Sequence, residues 1–143
     1  MKKLSIVSLA FVGITILAMI LVTVPVTGQV KQGTTRPLKT KQLMAGLIGP
    51  NCSALGKGLK AGPADEEVWE SLALNAALLN EASHILMADG RCPDADWAGA
   101  ATVLREQSQE VLNNIDARNA EGAQAAFAAM TKSCGACHSK HKK

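Results

Sequence analysis

Tyrosine is absent from this chain, and two tryptophans with two phenylalanines bring the aromatic share to only 3%. A surface that stacks nucleic-acid bases on aromatic rings is therefore excluded. A strong charge of one sign is also missing, since 15 Lys and Arg face 12 acids for a formal +3. Removing residues 1–28 would take away Lys2 and Lys3 and no acid, which lowers the formal charge from +3 to +1. No basic nucleic-acid face is expected. Convincing alternation of apolar and polar residues is lacking too, so strands are not expected. Nor does a catalytic acid–base pair or an activated nucleophile stand out, and no enzymatic activity is expected.

What the chain does have begins with one long apolar run. Met1-Lys2-Lys3 precede an uncharged stretch from Leu4 to Val24, closed by Val26-Thr27-Gly28. This reads as an export segment over residues 1–28. Signal cores run about 7–15 residues and spanning helices about 20, so both a cleaved signal peptide and a membrane anchor through residues 4–24 stay open. Either way the rest of the chain is expected to be periplasmic or otherwise extracytoplasmic, with the two lysines inside. No cysteine follows the run closely, so a lipid-modified N-terminus is not expected. Residues 29–38 carry Gly33, Pro37 and polar side chains without periodicity, as a linker would. The remainder, 39–143, is long enough for one domain.

Within that domain the pattern is helical throughout. A first helix over roughly Lys39 to Lys60 puts Met44, Leu47, Ile48, Leu55 and Leu59 near one face, and Gly46, Gly49 and Pro50 should bend it. Gly62-Pro63 ends it, and Asp65-Glu66-Glu67 suit the start of a second helix over about Ala64 to Ala88. This second helix carries Trp69, Leu72, Ala76, Leu79, Ser83 and Leu86 at spacings of three and four. Cys92-Pro93-Asp94 opens a third helix with Trp97, Ala101, Leu104, Ser108, Val111 and Ile115. After Ala117-Arg118-Asn119 a fourth places Ala123, Phe127, Met130, Cys134 and Cys137 on one seam. Four amphipathic helices with short loops predict an all-α fold, an antiparallel up-down-up-down four-helix bundle behind the N-terminal segment.

The last helix ends in SCGACHSKHKK, residues 133–143. Two cysteines three apart with a histidine directly after them allow several chemistries. A thioredoxin-like dithiol needs a helix N-terminus after a strand, and these thiols come at a helix end. Zinc on Cys52, Cys92, Cys134 and Cys137 leaves the adjacent His138 without a role, and exported thiols tend to oxidise. The blandest reading is a bridge or a pair of inert thiols beside a solvated histidine. Covalent haem c accounts for all three residues: Cys134 and Cys137 form thioethers with the two vinyl groups, and His138 turns to the iron as proximal ligand.

The segment CGACH at 134–138, a few residues from the end of a four-helix pattern, resembles cytochrome c′ and its low-spin relatives, the class II cytochromes c. The resemblance covers about Lys39 to Lys143, and the C-terminal placement of the motif is what points to class II. It implies one covalent haem c, whose distal side comes from the first helix as either an apolar blocker or a methionine ligand. Where the family usually shows an arginine four residues before that position, this chain has Thr40, with Lys39, Lys41 and Arg36 near enough in sequence to serve a propionate. Where family members often carry an aromatic and a basic residue after the motif, this chain has His141 and Lys142, of which only the basic one matches. Dimers are common in the family, so the resemblance admits a homodimer.

The sixth ligand separates two functions. His and Met ligation suits a carrier of single electrons between redox partner proteins, whereas an open or apolar distal side makes a five-coordinate haem that binds NO or CO. Met44 is the leading distal ligand; Leu43 or Leu47 would take that face in a shifted register, and His84 and Met87 are second choices. Met130 reads as wall packing, Trp97 as core beside the haem end, and His141, which would have to point away from its own helix to ligate, as a solvated residue. Cys52 and Cys92 make an even cysteine count that allows a disulfide. Lys132, Lys140, Lys142 and Lys143 could steer acidic partners to an exposed haem edge. A haem-free helical interaction module is the third reading.

Overall fold

The structure, a computed structural model, describes residues 33–142. The 1–28 segment lies outside the described residues, and among those described no helix is long and apolar enough to cross a membrane. The described secondary structure is entirely helical and forms four rods. The first consists of α1 (Thr40–Leu43), a π-helical turn (Met44–Ile48) and α2 (Gly49–Ala61) in direct succession. The others are α3 (Glu66–Met87), α4 (Ala95–Asp116) and α5 (Ala120–His141), so the fold is an all-α four-helix bundle.

The helix starts are written in the sequence. Asp65 accepts from the Val68 N–H at 3.0 Å and Asp94 from the Trp97 N–H at 2.9 Å. Asn119 does the same for Gly122 at 3.0 Å. Each side-chain oxygen satisfies a donor that the first turn leaves open. Gly62 closes α2 at φ 82°, a left-handed conformation that suits glycine, and Pro63 prevents the helix from resuming.

Proline at position 50 changes the first rod, by way of a π-turn rather than a break. Pro50 has no N–H, and its ring would crowd the carbonyl four residues back. The Gly49 N–H bonds five residues back to Met44, and Pro50 falls in the first turn of α2, where a missing donor costs nothing. Asn51 Nδ2 donates to the Leu47 carbonyl at 2.6 Å in the same stretch. A Cβ at Gly49 would stand 3.0 Å from the Met44 oxygen, so the glycine leaves room for the wide turn.

One core joins the rods. To it α2 contributes Leu55 and Leu59, α3 Leu72, Ala76, Leu79 and Leu86, α4 Trp97, Leu104, Val111 and Ile115, and α5 Ala123 and Met130. Two serines on these stripes are buried without harm, because Ser83 and Ser108 donate to the carbonyls of Asn80 and Arg105 three residues back. Trp69 departs from its stripe: it is half-buried, with the Arg118 guanidinium 5.4 Å from the ring centroid and Arg118 also paired to Glu66. α4 lies along both α3 and α5, whereas α2 leans mainly on α3 and touches α5 more lightly.

Before the first rod, the chain is tied to the turn between α3 and α4. Asp89 accepts from the Thr34 and Thr35 hydroxyls and from the Thr35 and Arg36 amides, at 2.7–2.9 Å. These donors hold its carboxyl well below the usual carboxylate range, the Arg36 amide foremost. Arg91 is wholly buried, donates from Nη2 to the Leu38 carbonyl at 2.8 Å, and has Nη1 3.5 Å from Asp89. Gly33 fits only because it lacks a side chain, since a Cβ there would collide with Asp89 and Arg91.

Candidate functional site

The end of α5 lies against the start of α4. Lys140 Nζ bonds Asp96 at 2.5 Å, and Ser133 Oγ reaches the Ala100 carbonyl at 3.5 Å. His141 Nε2 is 3.4 Å from Asp94, and its ring stands edge-on to Trp97 at 5.4 Å between centroids. Trp97 is fixed in turn by its indole N–H, which bonds the Leu86 carbonyl at 2.9 Å. The α3–α4 turn, the first turn of α4 and the last turn of α5 thus form one end of the bundle.

Cys134 and Cys137 lie on this last stretch, three apart on one face and half-buried. The Cys134 thiol is pushed up to about 11, first by burial and then by the neighbouring thiols of Cys52 and Cys137. Burial also raises Cys137, and the carboxylates of Asp94 and Asp96 raise it further. Both groups are therefore neutral thiols at pH 7. A redox dithiol needs the opposite displacement, so the thioredoxin-like reading fails on the charge environment as well as on position. The four cysteines are all unbridged, and among the described residues no three Cys, His, Asp or Glu side chains gather closely enough to hold a metal ion. A zinc site of four sulfurs is not formed.

His138 follows Cys137 directly and is exposed. Its carbonyl accepts the Lys142 N–H at 3.0 Å, while its imidazole has no hydrogen-bond partner among the described residues. Two neutral thiols on one face and an uncommitted imidazole beside them are the donor set that a covalently held haem requires, so these residues fit that group.

The other sequence-selected residues divide. Met44 is half-buried on the π-turn, which packs against α3, and its neighbour Leu43 is the more deeply buried at 2% exposure. Met87 is 40% exposed and His84 is turned outward, lining an open groove of about 470 Å³ with Asn80, Arg105, Glu106 and Gln109. Met130 is fully buried as wall packing and Trp97 is core.

His141 corrects the expectation of a solvated residue, because it is 5% exposed with both ring nitrogens lacking hydrogen-bond partners. The rhythm Met130, Cys134, Cys137, His141 keeps the 4-3-4 spacing of the seam, so the ring points inward. Lys140 is no free steering charge, being paired with Asp96. Cys52 and Cys92 are not bridged: the Cys92 thiol donates to the Asp94 carbonyl at 3.4 Å, and Cys52 acts on Cys134. Two features had little signal in the sequence. Arg91 looks like any loop arginine, and the approach of Cys52 to Cys134 depends on the packing of two helices. The chain matches no family model, no curated protein and no solved structure.

Proposed function

We propose that this chain is an extracytoplasmic c-type cytochrome of the class II kind, which carries single electrons between redox partner proteins through one covalently attached haem. The observation that carries the reading is the pairing of half-buried neutral thiols at Cys134 and Cys137 with the uncommitted imidazole of His138 at the end of the last rod. When bound, the haem supplies a one-electron iron couple whose potential the axial ligands and burial set. Cys134 and Cys137 would hold the cofactor to α5, and His138 would be the proximal ligand. Asp94, Asp96, Lys140 and His141 keep the end of α5 against α4, which fixes the direction of the motif. Met44 is the proposed distal ligand.

The antiparallel up-down-up-down arrangement belongs to the same proposal. It is supported by ties that pair a late residue of one helix with an early residue of a neighbouring one, Leu86 of α3 with Trp97 of α4 and Lys140 of α5 with Asp96 of α4 among them. Export rests on the apolar run of residues 4–24. With Lys140 neutralised by Asp96, Lys132 and Lys142 remain as exposed cations that would draw acidic partners.

One observation favours a second reading. Leu43, not Met44, is the more buried residue at the start of the first rod, and an apolar side chain on the distal side would leave a five-coordinate haem open to NO or CO. Acid–acetone extraction and the absorption spectrum test both. Pigment retained by the protein, with a low-spin spectrum whose Fe–S band disappears in Met44→Ala, is expected for electron transfer. A high-spin spectrum that shifts with carbon monoxide identifies the gas-binding form, and pigment released by the solvent, or none at all, rejects covalent haem.

A further inference from the structure

We propose that Cys52 and Cys134 are a disulfide pair in the chain that has not yet received haem, and that this bridge withholds Cys134 from thioether formation. The bridge itself needs only the bundle geometry, whereas its effect on attachment rests on the haem reading above.

Two contacts set α2 against α5. Gln124 Nε2 donates to the Leu59 carbonyl at 2.7 Å. About one turn on, the Phe127 ring lies so close to Gly56 that a Cβ there would stand 2.8 Å from Cζ. Numbers fall along α2 as they rise along α5, so the next turns bring Cys52 towards the level of Met130 and Cys134. Both thiols are half-buried, and glycine at 56 lets the two helices approach closely where a disulfide needs Cα atoms within roughly 7 Å. The electrostatics agree, because Cys52 acts on the Cys134 thiol more strongly than Cys137 does.

The rival bridges meet obstacles. Cys134 and Cys137 both lie within α5, where residues three apart keep Cβ atoms about 5–6 Å from each other. A disulfide needs about 3.5–4.5 Å, so closing that pair would unwind the helix end. Cys92 belongs to the α3–α4 loop, where its thiol bonds the Asp94 carbonyl.

The oxidation balances with a small disulfide as oxidant. The Cys52 thiolate attacks one sulfur of glutathione disulfide, which releases one glutathione thiolate and leaves a mixed disulfide. The Cys134 thiolate then displaces the second glutathione. One S–S bond is broken and one formed, two electrons pass to glutathione, and the two thiol protons end on the two glutathione products. A sulfur held this way cannot add to a vinyl group until it is reduced again.

The test uses the full chain, exported from cells without a haem-attachment system, treated with glutathione disulfide, alkylated in denaturant and digested. Two of the four cysteines, Cys92 and Cys137, are expected to be alkylated, with one linked peptide pair joining Cys52 to Cys134 and lost in both Cys52→Ser and Cys134→Ser. Four alkylated cysteines, glutathione left on either residue, or a link from Cys134 to Cys137 or from Cys52 to Cys92 overturns the bridge. In cells that do attach haem, Cys52→Ser is expected to raise the pigmented fraction at least about twofold when no reductant is supplied. An unchanged fraction overturns the withholding. Wild-type protein with no covalent pigment would defeat the haem reading while leaving the peptide map to stand by itself.

Discussion

The indole N–H of Trp97 donates to the carbonyl oxygen of Leu86 across 2.9 Å, which joins the first turn of α4 to the last turn of α3. Trp97 is 3% exposed, and it is also the surface on which the His141 ring stands. Trp97→Phe keeps much of the apolar contact and orphans the carbonyl. Urea unfolding is expected to show a loss of about 1–2 kcal/mol. Trp69→Phe, at a half-buried site, should cost less; equal losses would mean that the bond carries no weight.

Core and surface leucines on α3 should separate sharply. Leu79 is 1% exposed and Leu74 61%. Leu79→Ala is expected to cost about 2–5 kcal/mol through lost burial and the cavity left behind. Leu74→Ala should stay within about 0.5 kcal/mol. Chemical denaturation of the two variants checks the assignment of the inward stripe.

Two glycine substitutions should change stability in opposite directions. Gly99 lies in α4 with open space where a Cβ would stand, so Gly99→Ala is expected to stabilise by about 0.5–1 kcal/mol. Gly56→Ala drives a methyl into the Phe127 ring and is expected to cost about 1–3 kcal/mol. Thermal melts that moved both variants the same way would contradict the close approach of α2 to α5.

Cys134 should be slow to alkylate in the folded, cofactor-free chain once all four cysteines have been reduced. Its thiol is pushed up to about 11, so folding favours the protonated form. The stability this contributes is complete below the ordinary thiol value of about 8.5 and is lost as pH rises towards 11. At pH 8 the iodoacetamide reaction of Cys134 is expected to run at least about tenfold slower in the native chain than in urea, with the gap closing as pH rises. Equal rates at pH 8 would show that the thiol is not shielded.

The Asp89 tie should survive acid. Its carboxyl is held well below the usual range, so the stability it contributes is complete above about pH 3.9 and fades only as pH falls through the depressed value. Hydrogen exchange at pH 4 should find the Thr35 and Arg36 amides protected, and Asp89→Ala should expose both.

Much of the bundle is legible from side-chain spacing. The stripes Leu72 to Leu86 and Trp97 to Ile115 are buried residue for residue, because a 3.6-residue period leaves one face for the core. Helix starts at Asp65 and Asp94 are equally legible, since a capping carboxylate acts within one turn. At Pro50 the sequence announces that the regular ladder must yield; whether it yields by a bend or by a wider turn depends on neighbours. The inward turn of His141 is readable from the seam, whose rhythm it continues, and a terminal position among lysines hides it. Arg91 and Cys52 carry no local signal, because what matters about each is a partner more than 35 residues distant in sequence: Leu38 for one and Cys134 for the other.

The fastening of Thr34 to Arg36 onto Asp89 also decides where upstream residues leave the domain. They depart beside the α3–α4 turn, the same turn whose Asp94 meets His141 and acts on Cys137. Only Pro25 to Gly33 then separate this exit from the apolar run of residues 4–24, and nine residues reach at most about 30 Å. A segment retained in a lipid bilayer would keep the cysteine end of the bundle within that distance of the headgroups.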